Sequence, residues 1–185
     1  ALPILMSLFW TLFIRYFEKK TQTVPNGKES ASAKSNAKVL DIVGLCMAVM
    51  FTVMQGIILY GAYKAAVSGA TQWTVDIGKI VVIMLGIMLI VLGNFMTKTR
   101  INGAVGFRVR WSMYNDNTWR RSNRFGAYAI IIAGVITIIL AVIFNSFLGA
   151  VIAAAGAVTL ATVLTLVYAH KVYVQEIESE KRGKI

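Results

Sequence analysis

Residues 93 to 126, GNFMTKTRINGAVGFRVRWSMYNDNTWRRSNRFG, hold most of the side chains in this chain that can recognise anything specific. Lys98, Arg100, Arg108, Arg110, Arg120, Arg121 and Arg124 supply cationic donors, and a guanidinium forks onto carboxylate or phosphate oxygens. Trp111 and Trp119 add two indole rings. Asp116 is the one carboxylate in the stretch, which contains neither His nor Cys. General acid–base and nucleophilic chemistry therefore have few candidates, and the chain reads as a non-enzyme with no catalytic residue. No nucleotide loop, zinc spacing or catalytic triad is present elsewhere. Cys46 is the single cysteine, so no disulfide framework or thiolate metal site can be built, and its apolar surroundings suit an inert thiol. His170 stands alone where the last apolar run meets the tail. Neither a metal nor a cofactor is expected.

The elements that must position this stretch are membrane helices. Hydrophobic residues make up 57% of the chain and charged residues 15%, with a mean hydropathy of +0.68. A soluble domain carries charge on about a quarter of its positions. A hydrocarbon core of about 30 Å needs roughly 20 apolar residues of helix, and backbone groups in lipid must be satisfied internally. Five segments meet or approach that length: Leu2–Phe17, Val39–Tyr63, Ile77–Phe95, Phe125–Phe144 and Leu148–Ala169. The expected fold is an all-α integral membrane protein with five transmembrane helices. Residues 1–170 form the bundle, residues 96–124 an ordered basic cytoplasmic loop between the third and fourth helices, and residues 171–185 a cytoplasmic tail.

The formal net charge of +11 follows from topology rather than from nucleic-acid binding. Lys and Arg concentrate in Arg15–Lys38, Lys98–Arg124 and the tail, three segments on one side of a five-span chain, whereas the other two loops hold only Lys64 and Lys79. By the positive-inside rule that side is the cytoplasm of a bacterial cell membrane, which places the tail inside and Ala1 outside. The first segment is short and lacks a basic region or a cleavage site. One more helix upstream of Ala1, in a six-span parent with both ends cytoplasmic, is expected.

Residues 18 to 38 read as a linker, with a turn signal at Pro25-Asn26-Gly27. Glu176, Glu178 and Glu180 on the tail read as a solvated helix face, with Glu178 near Arg182. Small residues recur at helical spacing, as Gly44, Ala48, Thr52 and Gly56 on the second span and Gly149, Ala153, Ala157 and Ala161 on the fifth. Such stripes allow close helix approach within the molecule or in a homodimer. Span interiors hold few polar groups beyond Gln55, with Asp41, Asn94 and Asn145 at span ends, which weighs against an ion-coupled transporter.

Within the basic segment, Gly103 and Gly106 allow the backbone to fold back. Phe107-Arg108-Val109-Arg110-Trp111 alternates, which places Arg108 and Arg110 on one side if extended. Tyr114-Asn115-Asp116-Asn117 offers N-cap side chains for a helix starting near Thr118, where Asp116 and Arg120 are spaced to pair. Two readings stand. Positive-inside charge with headgroup-anchored tryptophans accounts for the cations and the rings. A cytoplasmic lid that binds an anionic headgroup or a protein partner accounts also for the closely spaced Gly and Asn.

The order of residues resembles the signature of the SdpI family of bacterial membrane proteins. The matching positions are Gly93, Asn94, Met96, Lys98, Asn102, Gly106, Arg108, Trp111, Ser112, Asn115, Trp119, Arg120, Arg124 and Gly126. The chain departs from the family at Thr97 and Ile101, where Pro is frequent, and at Val109-Arg110 and Ser122-Asn123. The resemblance implies a divergent immunity or signal-transducing protein that gives tolerance to a secreted antimicrobial peptide. It also implies a small transcriptional repressor drawn to the membrane. A rival reading is an inner-leaflet protein that binds anionic lipids, or an enzyme that acts on their headgroups, and a third is a structural subunit of a membrane complex.

Overall fold

Long apolar runs with no water to satisfy their backbone close every N–H onto their own helix. The computed structural model describes residues 4–5, 8–13, 15–16, 27–68, 76–99, 101, 106–144 and 146–182, with backbone only for 27–39 and 77. A first helix, α1, is described at residues 4–5, 8–13 and 15–16. Four longer helices follow: α2 (Gly27–Ser68), α3 (Ile77–Met96), α4 (Asp116–Ile143) and α5 (Phe147–Arg182). Among the described residues these four are long and apolar enough to cross a membrane, and all regular structure is helical. The first apolar segment, residues 2–17, falls partly outside the described residues and is helical where described.

α2 starts at Gly27, inside the stretch that composition marks as a linker. Ala, Lys and Glu are strong helix formers, and a helix nucleated by the apolar segment propagates back through them at little cost. Asp76 caps α3, its carboxylate accepting from the Lys79 N–H at 3.1 Å. α5 runs for 36 residues, about 54 Å at 1.5 Å per residue, well beyond a hydrocarbon core of about 30 Å. α4 likewise starts at Asp116, nine residues before its apolar run begins at Phe125. The polar ends of α4 and α5 therefore stand side by side outside the apolar layer.

α3, α4 and α5 pack on one another, while α2 contacts α3 among the long helices. The α3–α4 approach is set by small residues seven apart. A Cβ on Gly134 would lie 2.7 Å from the Gly86 carbonyl oxygen, and one on Gly93 would lie 2.8 Å from that of Ala127. Backbone is thus in contact with backbone, the geometry that drives association where lipid removes the hydrophobic force. Val82 on α3, Ala141 on α4 and Ala150 and Ala154 on α5 form the buried core near the far end. Of the stripe on the second span, Gly44 lies under the Trp10 indole, whose Nε1 donates to the Leu40 carbonyl at 2.9 Å, and Gly56 faces open space.

Gly134→Val drives a branched side chain into the Gly86 carbonyl and is expected to destabilise the detergent-solubilised protein by about 1–3 kcal/mol. Gly156→Ala, at a position with nothing within 4 Å, causes no loss. Equal melting temperatures for the two variants would remove the close approach as the basis of α3–α4 packing.

Candidate functional site

The chain leaves α3 through a tight turn. The Lys98 N–H donates to the Phe95 carbonyl and the Thr99 N–H to that of Met96, at 3.0 and 3.4 Å. The Thr99 carbonyl then accepts the indole N–H of Trp119 at 3.0 Å. Trp119 sits in the first turn of α4 and is 2% exposed. Its single donor is satisfied inside, as a buried indole requires.

Gly106 lies against the same ring. Its φ of 117° belongs to the left-handed half of conformational space, and a Cβ there would meet Asn123 Oδ1 at 2.6 Å and the Trp119 ring at 2.9 Å. Glycine is required on both counts. The next residue, Phe107, donates its N–H to Asn123 Oδ1 at 2.6 Å, and Asn123 Nδ2 donates to the Trp119 carbonyl at 3.1 Å. Asn123, 2% exposed, thus ties the returning chain to the helix beneath it.

Ser112 is fully buried and closes the next turn. Its hydroxyl accepts from the Val109 N–H at 3.1 Å and lies 2.7 Å from the Phe107 carbonyl oxygen, to which it donates. The Met113 N–H donates to the Val109 carbonyl, so this stretch turns instead of running extended, and both Arg108 and Arg110 emerge exposed. Asn115 then caps α4. Its Oδ1 accepts from the Thr118 N–H at 2.8 Å, while its own N–H donates to Thr118 Oγ1 at 3.0 Å, a reciprocal capping box.

The outer edge of this loop is held by α5. Asn115 Nδ2 donates to Glu176 Oε1 at 2.9 Å and Asn117 Nδ2 to Glu176 Oε2 at 2.7 Å. The Tyr114 hydroxyl donates to Glu180 Oε2 at 2.9 Å, and Arg121 Nη2 to Gln175 Oε1 at 3.2 Å. Trp111 meets His170 edge-on at 4.8 Å, and Tyr114 meets Tyr173 at 5.1 Å. Of the three carboxylates read as a solvated face, Glu176 and Glu180 are therefore acceptors for the loop, and Glu178 keeps to its own helix. Asp116 and Arg120 do not pair; the ion pair among the described residues is Glu178–Arg182, at 3.7 Å. Asp116 instead occupies the first turn of α4, where a carboxylate complements the helix dipole.

The signature residues divide into two sets. Gly93 and Gly126 admit neighbouring helices, with Gly126 facing Met96 and Thr165, while Met96 is buried. Gly106, Ser112, Asn115 and Trp119 shape the loop, and Trp111 is half-buried against α5. Asn94, Lys98, Arg108, Arg120 and Arg124 are exposed. Asn102 lies outside the described residues, as do Arg100 and Gly103. Asn123, Thr118, Thr99, Glu176 and Glu180 complete the assembly although the sequence did not mark them as site residues. The spacing of Asn123 four residues after Trp119, on one helix face, is the signal that marks it. The arrangement presents exposed cations on a fixed polar platform, suited to holding an anionic surface.

Residues 98–169 match the SdpI/YfhL protein family. Immunity protein SdpI of Bacillus subtilis (strain 168) is similar, at 29% identity over 84 residues, or 45% of this chain and 41% of that protein. The match thus spans about two-fifths of the length of this curated relative. No solved structure matches.

Asn123→Ala leaves the half-buried Phe107 N–H without its acceptor, for a cost of about 1 kcal/mol. Tryptic cleavage after Arg108 and Arg110 is expected to accelerate in this variant, and an unchanged cleavage rate would count against the anchoring role. The hydrogen bond to Glu180 holds the Tyr114 pKa above its ordinary value of 10.0, with desolvation adding to the shift. A raised folded-state value means that the contact stabilises below the ordinary tyrosine range and is lost as pH rises through the raised value. Difference absorbance titration against Tyr114→Phe should show the Tyr114 phenol titrating late, and Glu180→Gln should return it toward the ordinary value. A titration curve unaltered by Glu180→Gln would argue against the bond.

Proposed function

We propose, on the match of residues 98–169 to the SdpI/YfhL family, that the chain is a multi-pass membrane immunity protein of that family. In this reading it gives tolerance to a secreted antimicrobial peptide. The observation that carries the proposal is the division of the family signature. Its buried half is accounted for by folding, since Gly93, Met96, Gly106, Ser112, Asn115, Trp119 and Gly126 each serve packing, a turn or a cap. Its exposed half is not. Lys98, Arg108, Arg120 and Arg124 project from a fixed platform with no carboxylate partner among the described residues. Exposed cations contribute little to stability, so their place in the signature points outward to a partner.

The finer mechanism rests on topology. In this reading the loop is cytoplasmic, as positive-inside charge favours, on the side away from a secreted peptide. The peptide then meets the spans or the opposite loops, and helix packing shifts along the α3–α4 glycine contacts. The loop changes what it exposes, and a small transcriptional repressor held there is the output. Tolerance is the core of the proposal, and repressor capture is its extension.

Expression of the full-length protein in a sensitive bacterium challenged with secreted antimicrobial peptides tests it. The wild type should raise survival. Arg108→Ala/Arg120→Ala should insert at wild-type level in the membrane fraction yet lose protection. Trp119→Ala is the less informative variant, because it also opens a cavity beneath the loop. Survival of the double variant equal to wild type would separate the exposed signature from tolerance. No protection by the wild type against any of the peptides tested would overturn the immunity assignment.

A further inference from the structure

An apolar groove of about 440 Å³ lies between α4 and α5, lined by α4 residues other than those that meet the α3 glycines. Tyr128, Ile132 and Ile136 line it from α4, and Gly156, Leu160 and Leu164 from α5. It opens sideways into the bilayer, since Ile132 and Leu160 keep 58% and 60% of their surface. Gly156 has nothing within 4 Å of where a Cβ would stand, so the slot is unfilled at its inner end, the end away from the loop. Along α4 the lining runs from Phe125 to Ile136, about 16 Å at 1.5 Å per residue. That is close to half of a hydrocarbon core of about 30 Å, the depth of one leaflet.

A second observation concerns the end of the groove nearest the loop. Phe125 and Tyr168 stack there, with ring centroids 4.2 Å apart and planes 12° from parallel. Further out, Arg121 bonds Gln175 across the same two helices. Arg124 and Lys171 fall in sequence between these two contacts, so both lie in the band immediately outside the groove mouth. Arg124 is one turn from Tyr128 and Lys171 two turns from Leu164, which continues the lining stripe of each helix. Both cations are exposed, and neither has an ion-pair partner among the described residues.

A carbon-lined slot one leaflet deep, ending at two unpaired cations, has the form of an amphiphile with an anionic head. We infer that the α4–α5 groove is a binding site for a single anionic phospholipid of the loop-side leaflet. One acyl chain lies along Gly156 and the phosphate sits between Arg124 and Lys171. A zwitterionic lipid matches the slot but gains less from the cations, because its ammonium opposes them. This inference does not depend on tolerance to any peptide.

Native mass spectrometry of the full chain in detergent, with phosphatidylglycerol or phosphatidylcholine of identical acyl chains, tests it. Phosphatidylglycerol should be retained in preference, by about five-fold for each cation. Arg124→Gln/Lys171→Gln should erase the preference, whereas the charge-matched control Arg110→Gln/Arg182→Gln should keep it. Gly156→Leu fills the slot without a clash and should weaken retention of both lipids. Equal retention of the two lipids by the wild type overturns the inference. So does a preference that survives Arg124→Gln/Lys171→Gln, or retention indifferent to Gly156→Leu. A dimer peak abolished by Gly156→Leu also overturns it, because a second copy then occupies the groove.

Discussion

Trp119 has one hydrogen-bond donor and a large ring, and the loop between α3 and α4 is built around disposing of both. The donor goes to the Thr99 carbonyl, which fixes where the chain leaves α3. The ring fills the space under Gly106, which fixes where the chain returns. Asn123, one turn further along α4, then pairs the Phe107 N–H and the Trp119 carbonyl in the same buried patch. A buried polar group without a partner costs about 1–3 kcal/mol, so these bonds specify one path for the chain more than they add net stability. The capping box at Asn115 is the last step, since α4 can start at Asp116 only if the loop delivers Asn115 in extended geometry.

α5 enters this scheme through its length. A helix that ended at the hydrocarbon boundary would leave the outer edge of the loop in water. By continuing to Arg182, α5 brings Gln175, Glu176 and Glu180 alongside the start of α4. Glu176 can accept from two amides at once because a carboxylate offers two oxygens, and Asn115 and Asn117 are spaced to reach one each. The side chain that caps α4 is thereby the same one that ties α4 to α5.

Much of this was legible in the chain. Length and hydropathy marked the helices, and the polar turn at Tyr114 to Asn117 marked the start of α4, because caps and apolar runs are local signals. The glycines of the basic segment announced a fold-back, and Gly106 is the described one that makes it. What sequence could not show was pairing across distance. Glu176 lies 61 residues from Asn115, and no local period distinguishes a carboxylate awaiting a partner from one facing water. Composition likewise assigned 27–38 to a linker, because low hydrophobicity says only that a segment cannot bury a core, not that it cannot be helical. The close α3–α4 contact was hidden for a related reason. Gly86 and Gly134 each look incidental until the antiparallel register sets one against the other.

The two sides of the loop are held by contacts of different strength, and that difference decides which can move. Beneath it, Trp119, Asn123, Ser112 and Thr118 are almost wholly buried, so parting them from their partners strands polar groups where water cannot follow. At its outer edge, the Tyr114–Glu180, Asn117–Glu176 and Arg121–Gln175 bonds are exposed, and water replaces any of them at little cost. A displacement of α5 against α4 therefore parts the outer edge first and leaves the Trp119 anchor intact. The loop would swing about its buried side without unfolding. An occupant of the α4–α5 groove would act on that same spacing between helices. Exposed Arg108 and Arg110 stand on the loop that such a change would reorient, whereas Arg120 and Arg124 stay on α4.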